Sequence, residues 1–280
     1  MATAAPPGAL IVGLYGAFAR RVDAAGWLAV GDVVRLLDAL GVDEPAVRQA
    51  VSRMKRRGRL VSSPRSGGRG TGGVTVGYAP SPELAAILAE GDRRIFGHRE
   101  PARLADGWVV AVFSVPESDR HLRHLLRSRL ARLGFGNLAS GVWLAPARLR
   151  DDADAVVERL GLEAHVDLFD ARHLGFGDVA GLVARAWDLD GLVATYGAFV
   201  AGQEPVRKRW AAGAGTDERA FVDYLGALTE WRRLPYLDPG LPAEVLPAAW
   251  EGHRAAEIFH ALHELLDGPA LRHVRAVVTG

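Results

Sequence analysis

The chain has 280 residues, 49% hydrophobic and 24% charged, a formal net charge of +1 and no cysteine. That length allows two or three domains and a sizeable core, and the missing cysteine excludes both a disulfide framework and a cysteine zinc site. Apolar runs are short and interrupted, so no membrane span is expected. The segment from Met1 to Leu14 has no basic residue ahead of its apolar run and reads as a tail entering a helix, not as a secretion signal; a cytoplasmic protein is expected.

In chain order, Leu10–Val22 carries apolar residues at helical spacing. Asp32–Leu40 predicts a second short helix, broken by Gly41. Asp43 is placed to cap a third, with Pro45 in its first turn and Gly58 after its end. Along that third helix Val47, Ala50, Val51 and Met54 form a buried stripe. Its other face then holds Gln49, Ser52 and Arg56, flanked by Arg48 and Arg53. Arginine reads guanine bidentately and glutamine reads adenine, while Lys55, Arg57 and Arg59 are better placed for phosphates. Helix, tight glycine turn and basic amphipathic helix follow the order of a helix-turn-helix. Two short strands around SSPRSGGRGTGG complete a wing, with Arg65 and Arg69 expected at its tip. Between Pro45 and Pro82 lie eight basic residues and no acidic one, the footprint of a polyanion partner. The glycine run lacks the Gly-Lys-Ser/Thr of a phosphate-cradling loop and no helix opens directly after it.

Ser81–Phe96 is helical and Gly97–Asp106 reads as a linker. Trp108–Val115 is a buried strand. It is followed by a leucine-faced helix over Ser118–Leu133, two short strands around Ser140-Gly141, a helix over Asp151–Leu160 and a strand over Ala164–Phe169. The order βαββαβ is that of a ferredoxin-like unit, a candidate for dimerisation. His121 and His124, three apart, lack further ligands nearby and read as ordinary polar positions. From about residue 178 the pattern is helical, with a proline-rich loop at 235–247. His260 and His263 with Glu257 and Glu264 read as the polar side of an amphipathic helix. Arg207, Arg209 and Trp210, with Trp231, Arg232 and Arg233, place arginine beside tryptophan, which suits a phosphate-bearing, partly apolar ligand. Neither a catalytic constellation nor a cofactor or metal motif is found.

Three stretches resemble the PaaX-type repressors of bacterial phenylacetate catabolism. They are LYGAF (Leu14–Phe18) with VRQAVSRMKRRGRL (Val47–Leu60), the run from Trp108 to Pro146, and WRRLPYLDPGLPAEVLPAAW within Trp231–Leu262. The resemblance implies an α+β chain with a winged helix-turn-helix over 1–97 and a ferredoxin-like domain over 98–177. A helical, effector-binding domain over 178–280 completes it. It further implies a homodimer on a palindromic double-stranded DNA operator, released by an acyl-coenzyme A such as phenylacetyl-coenzyme A. Arg48, Gln49, Ser52 and Arg53 match the family's recognition helix. The rival expectation is a metal-dependent nuclease, because the central block also resembles the small endoribonuclease of CRISPR systems. At the end of the first strand, where that chemistry wants an acid, this chain has Ser114, with Glu117 and Asp119 just beyond.

Overall fold

The computed structural model describes residues 5–66, 74–97, 102–213 and 215–280. It is a mixed helix-and-sheet chain. The first helix, α1 (Pro7–Leu14), opens on Pro7, continues through a π-helical turn at Tyr15–Ala19 and ends in α2 (Arg20–Val22). Strand β1 (Leu28–Ala29) leads into α3 (Val30–Asp38). Gly41, at φ +76°, makes the sharp turn out of α3, a left-handed conformation that costs glycine least. Asp43 then caps α4 (Glu44–Arg56), its Oδ1 accepting from Ala46 N at 2.7 Å. At the far end Gly58, at φ +66°, lets Arg59 N reach back to Met54 O at 2.9 Å, a Schellman closure. The chain then runs through β2 (Leu60–Ser62), β3 (Arg65–Ser66), β4 (Val74–Thr75) and β5 (Gly77–Pro80) into α5 (Pro82–Phe96). Strands β1, β5 and β2 form an antiparallel sheet in that order, and β3 and β4 a separate two-stranded ribbon.

The central region begins with β6 (Trp108–Phe113) and α6 (Arg120–Leu133), and continues with β7 (Gly136–Ala139), β8 (Val142–Pro146), α7 (Arg150–Leu160) and β9 (Val166–Ala171). The four strands form one antiparallel sheet in the order β7-β8-β6-β9. One face packs α6 and α7 over Val109, Ala111, Leu126, Leu130, Ala153 and Val157. Helix α6 starts at Arg120, after a 3₁₀ turn over Glu117–Asp119, two residues later than the leucine spacing predicts. Strand β9 starts at Val166 for a similar reason, because Glu163–His165 also form a 3₁₀ turn.

The remaining helices are α8 (Val179–Ala186), α9 (Leu189–Ala211), α10 (Asp217–Trp231), the short α11 (Leu234–Leu237) and α12 (Gly252–Thr279). Residues 178–280, expected as one helical segment, contribute to two compact units. The first unit combines the chain up to Gly97 with Phe199–Arg232 and His253–Gly280. The second holds the central sheet, the chain up to Ala198 and Arg233–Gly252.

In the first unit α1 is buried between α4 and α10. Leu10, Ile11, Leu14, Tyr15 and Phe18 are at most 3% exposed, which is why α1 is apolar nearly all round. Gly13 admits α10 closely: a Cβ there would lie 3.0 Å from Leu225 Cδ1. Phe18 packs on Phe221 and Tyr224, with ring centroids 5.7 and 6.0 Å away. In the second unit Asp238 folds the proline-rich segment, accepting from Tyr196 Oη at 2.6 Å and Gly240 N at 2.7 Å. Trp187 donates to Gly134 O at 2.9 Å.

At Gly77 a Cβ would fall 2.2 Å from the Trp27 ring and 2.6 Å from Leu28 O, the strand partner's own backbone. Gly77→Ala is therefore expected to destabilise the protein by about 1–3 kcal/mol, read as a lowered midpoint in urea unfolding; an unchanged midpoint would show that β1 and Trp27 yield without cost.

Candidate nucleic-acid interface

Helix α4 buries Val47, Ala50 and Val51 and leaves Arg48, Gln49, Ser52, Lys55, Arg56 and Arg57 exposed, with Arg53 half-buried at the margin. Arg53, Lys55, Arg56 and Arg57 pair with no carboxylate among the described residues. Arg48 makes an i,i+4 pair with Glu44 at 2.5 Å, both side chains about half exposed (53% and 54%). Such a pair is weak, so Arg48 exchanges its partner readily. Arg59 lies 3.4 Å from Glu83. The outward face of α4 is thus a block of cations and amide or hydroxyl groups, with the helix anchored from behind by α1.

Arg65 sits at the base of the ribbon and not at its tip. Its Nη1 and Nη2 donate to the Asp23 carboxylate at 2.6 and 3.1 Å, and the guanidinium lies over the Trp27 ring, 4.4 Å from the centroid. Trp27 Nε1 donates to Ser63 O at 2.6 Å, so one cluster ties the start of the ribbon to the turn after α2. Arg69 lies outside the described residues. Spacing along the sequence carries no signal for Arg65, because its partner is 42 positions away.

The family models match this architecture segment by segment. That of the PaaX-like protein matches residues 7–70, that of the PaaX protein central Cas2-like domain 101–183, and that of the PaaX-like protein C-terminal domain 187–276. The chain is 28% identical over 271 residues to the transcriptional repressor PaaX of Escherichia coli strain K12, spanning 95% of this chain and 82% of that one. The chain belongs to the PaaX family. An uncharacterized protein of Mycobacterium tuberculosis, Rv0674, shares the fold, with a TM-score of 0.59 and 23% identity over 99% of this chain and 100% of that one.

In this PaaX-family chain the six effector candidates do not converge on one place. Arg207 donates twice to Glu204 at 2.8 Å and holds that carboxyl down at about 2. Arg209 Nη2 and Trp210 Nε1 both donate to Asp223 Oδ2, at 2.6 and 2.8 Å; the Asp223 side chain is only 7% exposed and also pairs with Arg219. Trp231 is buried, donating to Ile95 O at 3.2 Å and stacked on Phe259 at 4.9 Å. Arg233 is exposed and falls in the second unit. Arg232 lines a small, shallow cleft between α1, α5 and α10, with Gly13, Gly16, Leu88, Asp92 and Ile95. Burial raises the Asp92 carboxyl there, against the opposing pull of Arg20 at 2.9 Å. Of these six, Arg207, Arg209 and Trp210 are engaged in ion pairs or hydrogen bonds with Glu204 and Asp223, and Trp231 in core packing.

His121 and His124 are exposed on α6, and His263 Nδ1 lies 2.6 Å from Tyr224 Oη. Among the described residues no three metal-ligating side chains gather. Glu117, just beyond β6, pairs with Arg123 and lies 3.9 Å from Arg120.

Hydrogen bonding from Arg65 holds the Asp23 carboxyl below its ordinary value. A carboxyl depressed in the folded state contributes stability in full above its unfolded value, about 4, and loses it as pH falls through the folded one. The gap in melting temperature between the native chain and Asp23→Asn is expected to be widest near neutrality and to close in acid below that value. A gap that stays constant throughout would place the Asp23 contribution outside this ion pair.

Proposed function

We propose that the protein is a DNA-binding transcriptional repressor of a phenylacetate-type catabolic operon. The observation that carries the reading is the outward face of α4, cationic and, among the described residues, paired with a carboxylate only at Arg48, on a chain related to a transcriptional repressor over 95% of its length. In this reading α3, the Gly41 turn and α4 are a helix-turn-helix, and β2–β5 its wing. Gln49, Ser52, Arg53 and Arg56 face base edges, with Arg48 freed from Glu44 to join them. Lys55 and Arg57 hold phosphates. Arg69 belongs to the wing's contact surface, while Arg65 shapes the wing from its base.

The strand order β7-β8-β6-β9 with two helices on one face supports a ferredoxin-like central domain. We assign it to dimerisation, so that two copies of α4 address the halves of a palindromic operator. The helices after residue 178 take the effector role, with an acyl-coenzyme A such as phenylacetyl-coenzyme A as the releasing ligand. Such a ligand shifts DNA affinity only by its preference for the non-binding state. A cytoplasmic regulator without catalytic activity is the reading throughout; among the described residues no helix is long and apolar enough to cross a membrane. Nuclease chemistry at the central sheet is disfavoured because Glu117, the nearest acid after β6, is engaged by arginine.

The test is fluorescence anisotropy with the DNA upstream of the chain's own gene cluster, random duplex as competitor, with and without phenylacetyl-coenzyme A. Specific binding relieved by the thioester is the expected result; binding no tighter than to random duplex would overturn the reading. Gln49→Ala and Arg53→Ala are each expected to cost about 1–3 kcal/mol on the operator and to relax specificity, whereas Arg57→Ala weakens binding to all sequences alike. Equal losses on operator and random duplex for all three would refute the assignment of base readers.

A further inference from the structure

Helix α6 carries a second concentration of positive charge that recognition by α4 does not use. Its 14 residues, RHLRHLLRSRLARL, contain five arginines and two histidines and no acid. Leu126 and Leu130 point into the sheet core, so the opposite arc faces outward. At 100° per residue, Arg120 and Arg127 fall on one flank of that arc and His121 and Arg132 on the other. His124, Ser128 and Ala131 lie between them, and Arg129 projects at the margin. All of these are exposed. Glu117 takes up Arg123 and lies near Arg120, but Arg127, Arg129 and Arg132 pair with no carboxylate among the described residues.

We infer that the outward face of α6 is a second, sequence-independent surface for the phosphate backbone of DNA. The inference rests on the regulator reading, since it supposes that duplex DNA is the partner at hand. Guanidinium groups on either side of a lane of small and imidazole side chains make this arc a cationic surface. Guanidinium suits such a task because its planar fork binds phosphate oxygens two at a time. No base-reading group is needed, because backbone contacts carry affinity and register without sequence information.

The competing partner is a second copy of the chain, whose α7 exposes Asp151, Asp152, Asp154 and Glu158. Two features favour DNA. A protein interface needs a desolvated apolar centre, and the outward arc of α6 offers Leu125 alone, 36% exposed. The largest exposed apolar side chains of this unit lie on and beyond β9, at Phe169 (53%) and Leu174 (94%), with Leu237 (50%) on α11; β9 is where we place the second copy.

The test uses the full chain with Arg127→Gln, Arg129→Gln and Arg132→Gln combined, titrated at several salt concentrations against the operator fragment and a long random-sequence duplex. Each phosphate neutralised contributes about 0.9 to the slope of log affinity against log salt. The triple variant is expected to reduce that slope by about 2–3 and to weaken operator and random duplex by the same factor. The matching triple lysine variant is expected to retain the slope. An unchanged slope and affinity would overturn the inference while leaving α4 recognition intact. Loss of self-association in sedimentation with DNA binding unchanged would also overturn it, assigning the patch to a second copy. Should the unaltered chain bind neither duplex, the regulator reading falls first and takes this surface with it.

Discussion

The rest of the first unit depends on one largely buried helix that is apolar nearly all round. Helix α1 packs between α4 on one side and α10 on the other, with Leu10, Ile11, Leu14 and Phe18 filling the gap and Gly13 letting α10 come close. A pair of helices as short as α3 and α4 has little apolar surface of its own, and a domain below about 100 residues buries correspondingly less. Here the deficit is met by α10 and α12, more than a hundred residues further along the chain. Arg21 binds Asp267 of α12 through two hydrogen bonds, at 2.5 and 2.8 Å, and Arg35 Nη2 reaches Val277 O at 3.4 Å. The position of α4 is therefore set by a core that the C-terminal helices complete.

Under the proposed function, that shared core would give an effector a physical route. Close-packed interiors respond to displacement by discrete repacking and not by smooth deformation. A ligand that bound one arrangement of α10 more tightly than another would shift α1 with it, and α1 is the surface against which α4 rests. By reciprocity, DNA on α4, in the proposed reading, would disfavour that ligand by the same factor. The cleft beside Gly13 and Gly16 lies on this route, because α1 and α10 both wall it.

Elements were legible in the sequence where their cause was local. The Asp43 cap, the glycines at 41 and 58, and the Val47–Ala50–Val51 stripe are signals within one or two helical turns, and α4 falls between the cap and the second glycine. The strand and helix order of the central sheet was equally legible from alternating apolar runs and turn residues. What escaped was long-range. Nothing in the periodicity of Asp217–Trp231 says that its buried face meets α1. Nor does the sequence around Arg65 reveal Asp23, so a cation expected to reach outward is in fact stacked on Trp27. At 207–210 the pairing is mixed: Glu204 lies one turn from Arg207 on the same helix, a local spacing, whereas Asp223 meets Arg209 only through interhelical packing.

A net charge of +1 conceals how unevenly the charge is committed. Among the C-terminal helices, Glu204, Asp217, Asp223 and Asp267 are each held by arginine, so those cations are largely spent on internal pairs. On α4 and α6 the arginines have few or no such partners. At physiological ionic strength charges more than about 8 Å apart are largely screened from one another, so a polyanion senses the local surplus and not the sum over the chain. Near-neutrality overall then works in favour of selectivity. It would keep the C-terminal helices and the acidic α7 from drawing in nucleic acid, and leave the attraction to helices such as α4 and α6, where among the described residues Arg53, Arg56, Arg127, Arg129 and Arg132 pair with no carboxylate.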